Sequence, residues 1–379
     1  IKQIFMDKTT RVLTLVGDPN DINTWSNIPY FFLKAAQEKE FIHRGLPLKP
    51  EKLKRDRVLW NLASLLLRGE KGGYQYSDRF LKKLFAQVSL QNHQTIEFIS
   101  HFPLLPPQPW QSNWIANYYI DATLKQNFDD YGIANKVGSK IRENSLNREQ
   151  ENYHQAKRVI CMSHWAAQSV IEDYQVSSSK VYVIPAGANL EESSLPQSYE
   201  LRNQEIPNLN PLKLGFIGKN WQRKGLPFLL EIADILHQRG IAVEVLVIGP
   251  KSEDLPAHPL MKPLGFINKH THLTEFVQAI QQFHFGCLFS TAEAFGISNR
   301  ECLRLGIPVI ASRAGGIPDT VPEELGFLFE LGTPASAIAN WLESFVSDRE
   351  KYHILRSKAI ARAQEFTWKK TVDRFVRIW

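Results

Sequence analysis

The sequence predicts an α/β protein built from two doubly wound parallel sheets, and three observations predict it. Short apolar, β-branched runs alternate with longer amphipathic segments almost throughout, the pattern of β-α-β units whose sheets are covered on both faces. At 379 residues the chain exceeds one ordinary core. A polar, Pro- and Asn-rich stretch from Glu191 to Pro211 has no apolar period of its own, and the alternation restarts after it, so it reads as an interdomain linker. Hydrophobic residues make up 43% and charged residues 22%, which excludes a disordered chain.

In the first half the strands are expected at Arg11 to Val16, Thr95 to His101, Ile115 to Ile120, Arg158 to Met162 and Val181 to Ile184. Helices are expected from near Pro29, at Asn147 to Lys157 and at Ser163 to Tyr174. The second half gives strands Lys213 to Gly218, Val243 to Ile248, Phe285 to Ser290 and Pro308 to Ala311. Its helices run Leu226 to Gln238, Leu273 to Phe283, Ser298 to Leu305 and through Pro334 to Gln364. Two domains follow, residues 1–205 and 206–365.

No apolar stretch approaches the roughly 20 residues of a membrane-spanning helix, and Ile1 to Thr10 lacks the grammar of a secretory signal. Cys161, Cys287 and Cys302 form neither a disulfide framework nor a zinc site. A cytoplasmic protein in a reducing compartment is expected. The net charge of +6 suits phosphate-bearing ligands or an anionic surface, and nucleic acid is the weaker idea. Much of it lies in residues 49–83, where Lys52, Lys54, Arg55, Arg57, Arg79, Lys82 and Lys83 interleave with Leu59, Trp60, Leu62, Leu65 and Leu66. That segment reads first as a surface helical pair with solvated basic faces. Its second reading is peripheral contact with an anionic membrane, at the inner surface.

In open α/β sheets ligands bind beyond the carboxyl ends of the strands. After strand Lys213 to Gly218 comes the basic loop Lys219 to Gly225, whose two ammonium groups, Lys219 and Lys224, can neutralise a departing diphosphate. After strand Phe285 to Ser290, Glu293 and Glu301 bracket Phe295-Gly296-Ile297-Ser298. Ser298 and Glu301 have capping-box spacing, which by itself accounts for Glu301. The helix start after Gly296 is also a ready phosphate site. Ser312 to Asp319 places a Gly pair at the next strand exit.

Together these residues resemble the retaining GT-B glycosyltransferases of family 4, glycosyl transferases group 1. Glu293-x7-Glu301 with Phe295-Gly296 inside it, and Leu305 to Ala311 after it, is similar to the donor-site motif of that family. Gly218-x5-Lys224-Gly225 resembles its Gly-Arg-x4-Lys-Gly loop, with Lys219 where arginine is usual, so the charge is kept and the bidentate fork lost. The resemblance implies two facing Rossmann-like domains with a cleft between them. It implies that Glu301 takes the ribose, Glu293 the donor sugar, and amides around Phe295 to Ser298 the diphosphate or sugar. The base would lie near Gly265 to Asn268, at Phe266 and Ile267. His101 sits where relatives keep a histidine over the donor sugar, and it reads equally as a structural residue. Ser26 and Asn27 fall on the acceptor side, with Asn27 replacing the usual glycine, since asparagine enters left-handed conformations. The ending, residues 366–379, resembles a last helix that crosses back onto the first domain.

The implied activity is metal-independent transfer of a hexose, with retention, from a nucleotide-diphosphate sugar to a hydroxyl acceptor. UDP-sugar is favoured, GDP- or ADP-sugar being alternatives. No metal site and no cofactor are expected. The acceptor, whether small molecule, glycan or lipid-linked, is not encoded legibly. Two other readings stay open: a GT-B-like nucleotide-sugar epimerase, and an inactive sugar-nucleotide-binding protein.

Overall fold

A computed structural model describes residues 9–69, 72–90, 94–192, 195, 208–269 and 271–379. Two units emerge, residues 1–185 with 372–379, and residues 186–371. Each is built around one parallel sheet of six strands.

In the first unit the strands are β1 (Thr10–Thr14), β2 (Arg44–Leu46), β3 (Ile96–Ser100), β4 (Trp114–Ile120), β5 (Arg158–Cys161) and β6 (Val181–Val183). They lie in the order β2-β1-β3-β4-β5-β6. Every residue of β3 and β5 is buried, as strands covered on both faces require. The helices are α1 (Ile28–Glu38), α2 (Lys54–Arg68), α3 (Asp78–Phe85), α4 (Leu124–Asp130), α5 (Ser139–Gln155) and α6 (His164–Glu172). Ser163 caps α6 by accepting from the Ala166 amide.

The second unit has β7 (Leu212–Ile217), β8 (Val243–Ile248), β9 (Met261–Gly265), β10 (Phe285–Leu288), β11 (Val309–Ser312) and β12 (Gly326–Phe329), in the order β12-β11-β10-β7-β8-β9. Around them lie α7 (Leu226–Gln238), α8 (Leu273–Gln281), α9 (Ile297–Arg304), α10 (Ala335–Ser347) and α11 (Arg349–Arg362), and α12 (Trp368–Ile378) follows. One core holds Phe216, Leu229, Val245 and Phe285, and a second holds Leu246, Phe276, Phe283 and Leu303. Both sheets change the direction of strand order next to their first strand, between β1 and β3 and between β7 and β10, and at such switch points an open α/β sheet offers a crevice.

Three strands escape the sequence reading. β2 is a three-residue Arg-Gly-Leu, β9 contains Pro263, and β12 is a short run opening with Gly326. All lack a sustained apolar period, and all are edge or outermost strands, where pairing on one side suffices. The helix α4, held by a Thr123–Gln126 capping box, also went unread.

The boundary between units falls at Pro185/Ala186 rather than 205/206. Residues 186–192 are tied to the second unit: Ala188 N donates to Phe366 O (2.7 Å), Arg300 Nε to Ala186 O (3.0 Å), and Glu192 pairs with Arg304. Of the expected linker, residues 193, 194 and 196–207 lie outside the described residues. The last eight residues belong to the first unit, where Phe375 packs on Phe32 and Tyr119 and Asp373 pairs with Lys39.

A carboxylate organises the first unit's interior. Glu149 on α5 is fully buried and accepts from the Leu124 amide (3.0 Å), Tyr153 Oη (2.8 Å) and Tyr174 Oη. Burial pushes its pKa up to about 7 against these donors, so the folded state holds a proton that the unfolded chain releases near ~4.3. Between those values the native state binds more protons, and stability falls as pH rises. Urea unfolding should therefore show the stability of wild type relative to Glu149→Gln falling by roughly 3 kcal/mol from pH 4.5 to pH 8. A flat difference would mean that Glu149 ionises alike in both states.

Candidate functional site

Residues from the loops after β7, β10 and β11 meet at the switch point of the second sheet, where α9 and the loop after β9 join them. After β7 the chain turns through Gly218 and Lys219 to Gly225, whose left-handed backbone (φ +79°) starts α7. Lys224 lies back across Gly218 so closely that a Cβ there would come within 2.3 Å of Lys224 Cδ, so the glycine is a condition of the lysine's placement. After β10, Glu293 accepts three groups on Oε2: Lys224 Nζ at 3.2 Å, Arg223 Nη1 at 3.3 Å and Ser290 Oγ at 3.3 Å. Arg223 Nη1 also donates to Ala292 O. After β11, Gly315 leaves no room for a side chain, since a Cβ would lie 2.1 Å from Glu293 O, and Gly316 N donates to that same oxygen (2.9 Å). The Gly pair thus holds the backbone of Glu293.

Glu301 lies one turn into α9 and is 1% exposed. Lys269, in the loop after β9, pairs with its Oε1. Its Oε2 is buried and has no hydrogen-bond partner among the described residues. Burial raises the Glu301 pKa, opposed first by Lys269 and then by the charge of Lys224, so Lys224 is within electrostatic reach of both glutamates. A buried carboxylate oxygen with open acceptor capacity is costly unless a donor reaches it.

The structure corrects one reading. α9 begins at Ile297 behind Gly296 (φ +88°), and Ser298 lies inside the helix, so Ser298 and Glu301 form no capping box; the carboxylate turns to Lys269. Lys219 and Lys224 meet different groups of the chain itself. Lys219 Nζ sits 4.4 Å above the Phe266 ring, while Lys224 goes to Glu293. Phe266 is exposed, whereas Ile267, Phe295 and Ser298 are buried. Arg223 and Lys269 were not singled out in the sequence. Arg223 adjoins a chosen lysine and Lys269 lies just beyond Asn268, but only the fold turns them onto the two glutamates.

The remaining candidates belong to the first unit, at its own switch point. His101, at the end of β3, is buried, and its Nδ1 lies 2.6 Å from Tyr119 O. That carbonyl only accepts, so Nδ1 carries the proton and Nε2 is an acceptor, without a partner among the described residues. Desolvation lowers the pKa to about 4, keeping the ring neutral. It lines a small cavity with Trp25, Pro29, Tyr119 and Asp121. After β1, Trp25, Ser26 and Asn27 take φ of +43°, +56° and +69°, so the left-handed demand anticipated at Asn27 extends over three non-glycine residues. Asn27 Nδ2 donates to Ile22 O, and Trp25 Nε1 to Val16 O at 3.0 Å.

Two units, each built on a six-stranded parallel Rossmann-like sheet, are the architecture of the GT-B fold. A sucrose-phosphate synthase from Thermosynechococcus elongatus superposes with a TM-score of 0.65 at 17% identity, over 98% of both chains. The Anabaena protein HepE, solved with UDP and glucose, gives 0.61 at 15% identity over 98% of this chain and 100% of its own. Residues 197–362, which fall within the second unit, match the family model described as glycosyl transferases group 1. A D-inositol 3-phosphate glycosyltransferase of Corynebacterium urealyticum is 25% identical over 288 residues, 71% of this chain and 66% of that protein. A sulfoquinovosyl transferase of Arabidopsis thaliana is 30% identical over 165 residues, 42% of this chain and 31% of its own length. The chain spans from about one third to two thirds of the length of these curated relatives. Among the described residues no helix is long and apolar enough to cross a membrane.

The Glu301–Lys269 pair is testable without a ligand. Lys269→Met leaves a buried carboxylate that must take up a proton, which becomes harder as pH rises, so the stability lost should be larger at pH 8 than at pH 5. At pH 8 it should reach on the order of 3 kcal/mol in urea unfolding. Adding Glu301→Gln should recover most of it; equal losses at both pH values would show that the pair carries no buried charge.

Proposed function

We propose that this chain transfers a hexose from a nucleotide-diphosphate sugar to a hydroxyl acceptor, retaining the anomeric configuration and requiring no divalent metal. The observation that carries the reading is the buried Glu301 carboxylate with Oε2 unpartnered, beside the Lys224–Glu293 pair at the switch point. Oε2 suits the neutral hydroxyl donors of a ribose. Lys224 and Arg223 are fixed cations at the strand exits, suited to the diphosphate, and Glu293 to the sugar hydroxyls. Lys219 over Phe266 offers a further cation and an aromatic face beside the base. UDP is the favoured nucleotide, which the UDP and UDP-glucose complexes of the Anabaena protein support for this fold.

In the proposed step the acceptor oxygen bonds to the anomeric carbon on the face from which the nucleotide leaves. The bond between that carbon and the β-phosphate oxygen breaks, and the acceptor proton passes to the departing phosphate. Negative charge grows on the diphosphate as the bond opens, and Lys224 is placed to meet it. His101, neutral with Nε2 accepting, is suited to take a hydrogen bond from a sugar hydroxyl and unsuited to act as an acid near neutral pH.

Lys224→Ala should lower kcat on the order of 10²-fold, measured as release of nucleoside diphosphate with EDTA present. Turnover close to wild type would remove the lysine from this role, and activity abolished by EDTA would end the metal-independent reading. Thermal unfolding with UDP, GDP or ADP at ~100 times Kd should raise the midpoint by several degrees for one nucleotide, about 2.7 kcal/mol of linkage. The shift should vanish in Glu301→Ala. No shift with any nucleotide would favour a chain that binds no donor.

A further inference from the structure

We propose that the outward face of α2 docks on an anionic lipid bilayer. One side of the helix belongs to the first unit's core: Ser64 is buried, as is Leu53 just before the helix, and Trp60 packs on Tyr74 with ring centroids 5.6 Å apart. The opposite side carries Val58, Leu59, Leu62, Leu65 and Leu66, all exposed and spaced by three and four residues, which sets them on one stripe. With Leu67 they make six of the twelve exposed large hydrophobic side chains recorded among the described residues. Single exposed leucines are ordinary, but half of them gathered on one helix is an interaction surface.

Charge selects the occupant. Lys52, Lys54, Arg55 and Arg57 are exposed in and just before the first turn of α2. Cations there oppose the helix dipole, so helix stability does not explain them. Asp56, the one acid on α2, pairs with Lys83 (2.6 Å) and Arg79 (3.3 Å) of α3, and among the described residues no ion pair takes up Lys52, Lys54, Arg55 or Arg57. Over residues 49–83 ten Lys and Arg face four Asp and Glu, a surplus equal to that of the entire chain, so the remainder of the sequence is charge-balanced. An apolar stripe rimmed by cations matches the acyl boundary and headgroups of an anionic leaflet, with the fifteen-residue helix lying in the plane of the surface. A second copy of the chain would set this cationic rim against itself across a two-fold axis, which like charge disfavours.

The test is co-sedimentation of the full chain with phosphatidylcholine vesicles, with and without roughly one third phosphatidylglycerol. The protein should bind the anionic vesicles and stay in solution with phosphatidylcholine alone, and binding should weaken as salt rises from about 0.1 to 0.5 M. Leu62→Glu/Leu66→Glu and, separately, Lys54→Ala/Arg55→Ala/Arg57→Ala should each cut partition about tenfold or more with little change in thermal midpoint, since these side chains are exposed. Absence of binding to anionic vesicles overturns the proposal, as does binding that survives either set of substitutions. A dimer in sedimentation velocity that is lost in Leu62→Glu/Leu66→Glu, without vesicle binding, would assign the face to self-association. Lipid partition is read without any donor, so it stands or falls separately from glycosyl transfer.

Discussion

A short helix buried on every side must satisfy each of its polar groups from its surroundings, and much of the second unit follows from that requirement at α9. From Ser298 to Arg304 every residue of this helix is buried, although the run includes asparagine, glutamate and two arginines. Eight residues do not hold a helix in water by themselves. Asn299 donates to Thr320 Oγ1, Arg300 to the carbonyl of Ala186 and Arg304 to Glu192, while Glu301 takes Lys269. Two of these partners lie in residues 186–192, which explains why that segment joins the second unit ahead of its first strand. The same burial isolates Glu301 from water and leaves its second oxygen without a hydrogen-bond partner among the described residues.

The two sheets arrive at a similar arrangement through different local means. In the second unit glycine lets backbone and side chain approach: Gly218 admits Lys224 and Gly315 admits the carbonyl of Glu293. In the first unit the loop after β1 runs left-handed through three non-glycine residues, and the side chains of Trp25 and Asn27 tie it to Val16 O and Ile22 O. Strain of this kind persists only where the surroundings over-determine it, and it falls here at the switch point beside His101. Cationic groups collect at the switch point of the second unit and a neutral imidazole at that of the first.

Much of this was legible in the sequence, for a physical reason that varies by element. The central strands announce themselves because burial on both faces demands unbroken apolar runs, as in Val243–Ile248. The edge strands β2, β9 and β12 carry no such demand. Glu293 and Glu301 could be picked out by their spacing across one loop and one helix turn, and Lys224 by its place in the separate basic loop before Gly225. Their partners could not: Lys269 lies 32 residues from Glu301, and Arg223 lies 70 from Glu293.

What the amino-acid sequence determined by itself is the alternation of strands and helices, the two-sheet architecture, the spacing of Glu293 and Glu301 around Phe295-Gly296 and the concentration of positive charge in 49–83. These depend on periodicity and local spacing, which a chain carries along its length. Tertiary structure decided which oxygen of Glu301 is taken and which is open, that Lys224 turns to Glu293 while Lys219 turns to Phe266, and which stripe of α2 faces outward. Each of these depends on desolvation and on contacts between residues far apart in the chain, and those exist only once the sheet has brought the strand ends together.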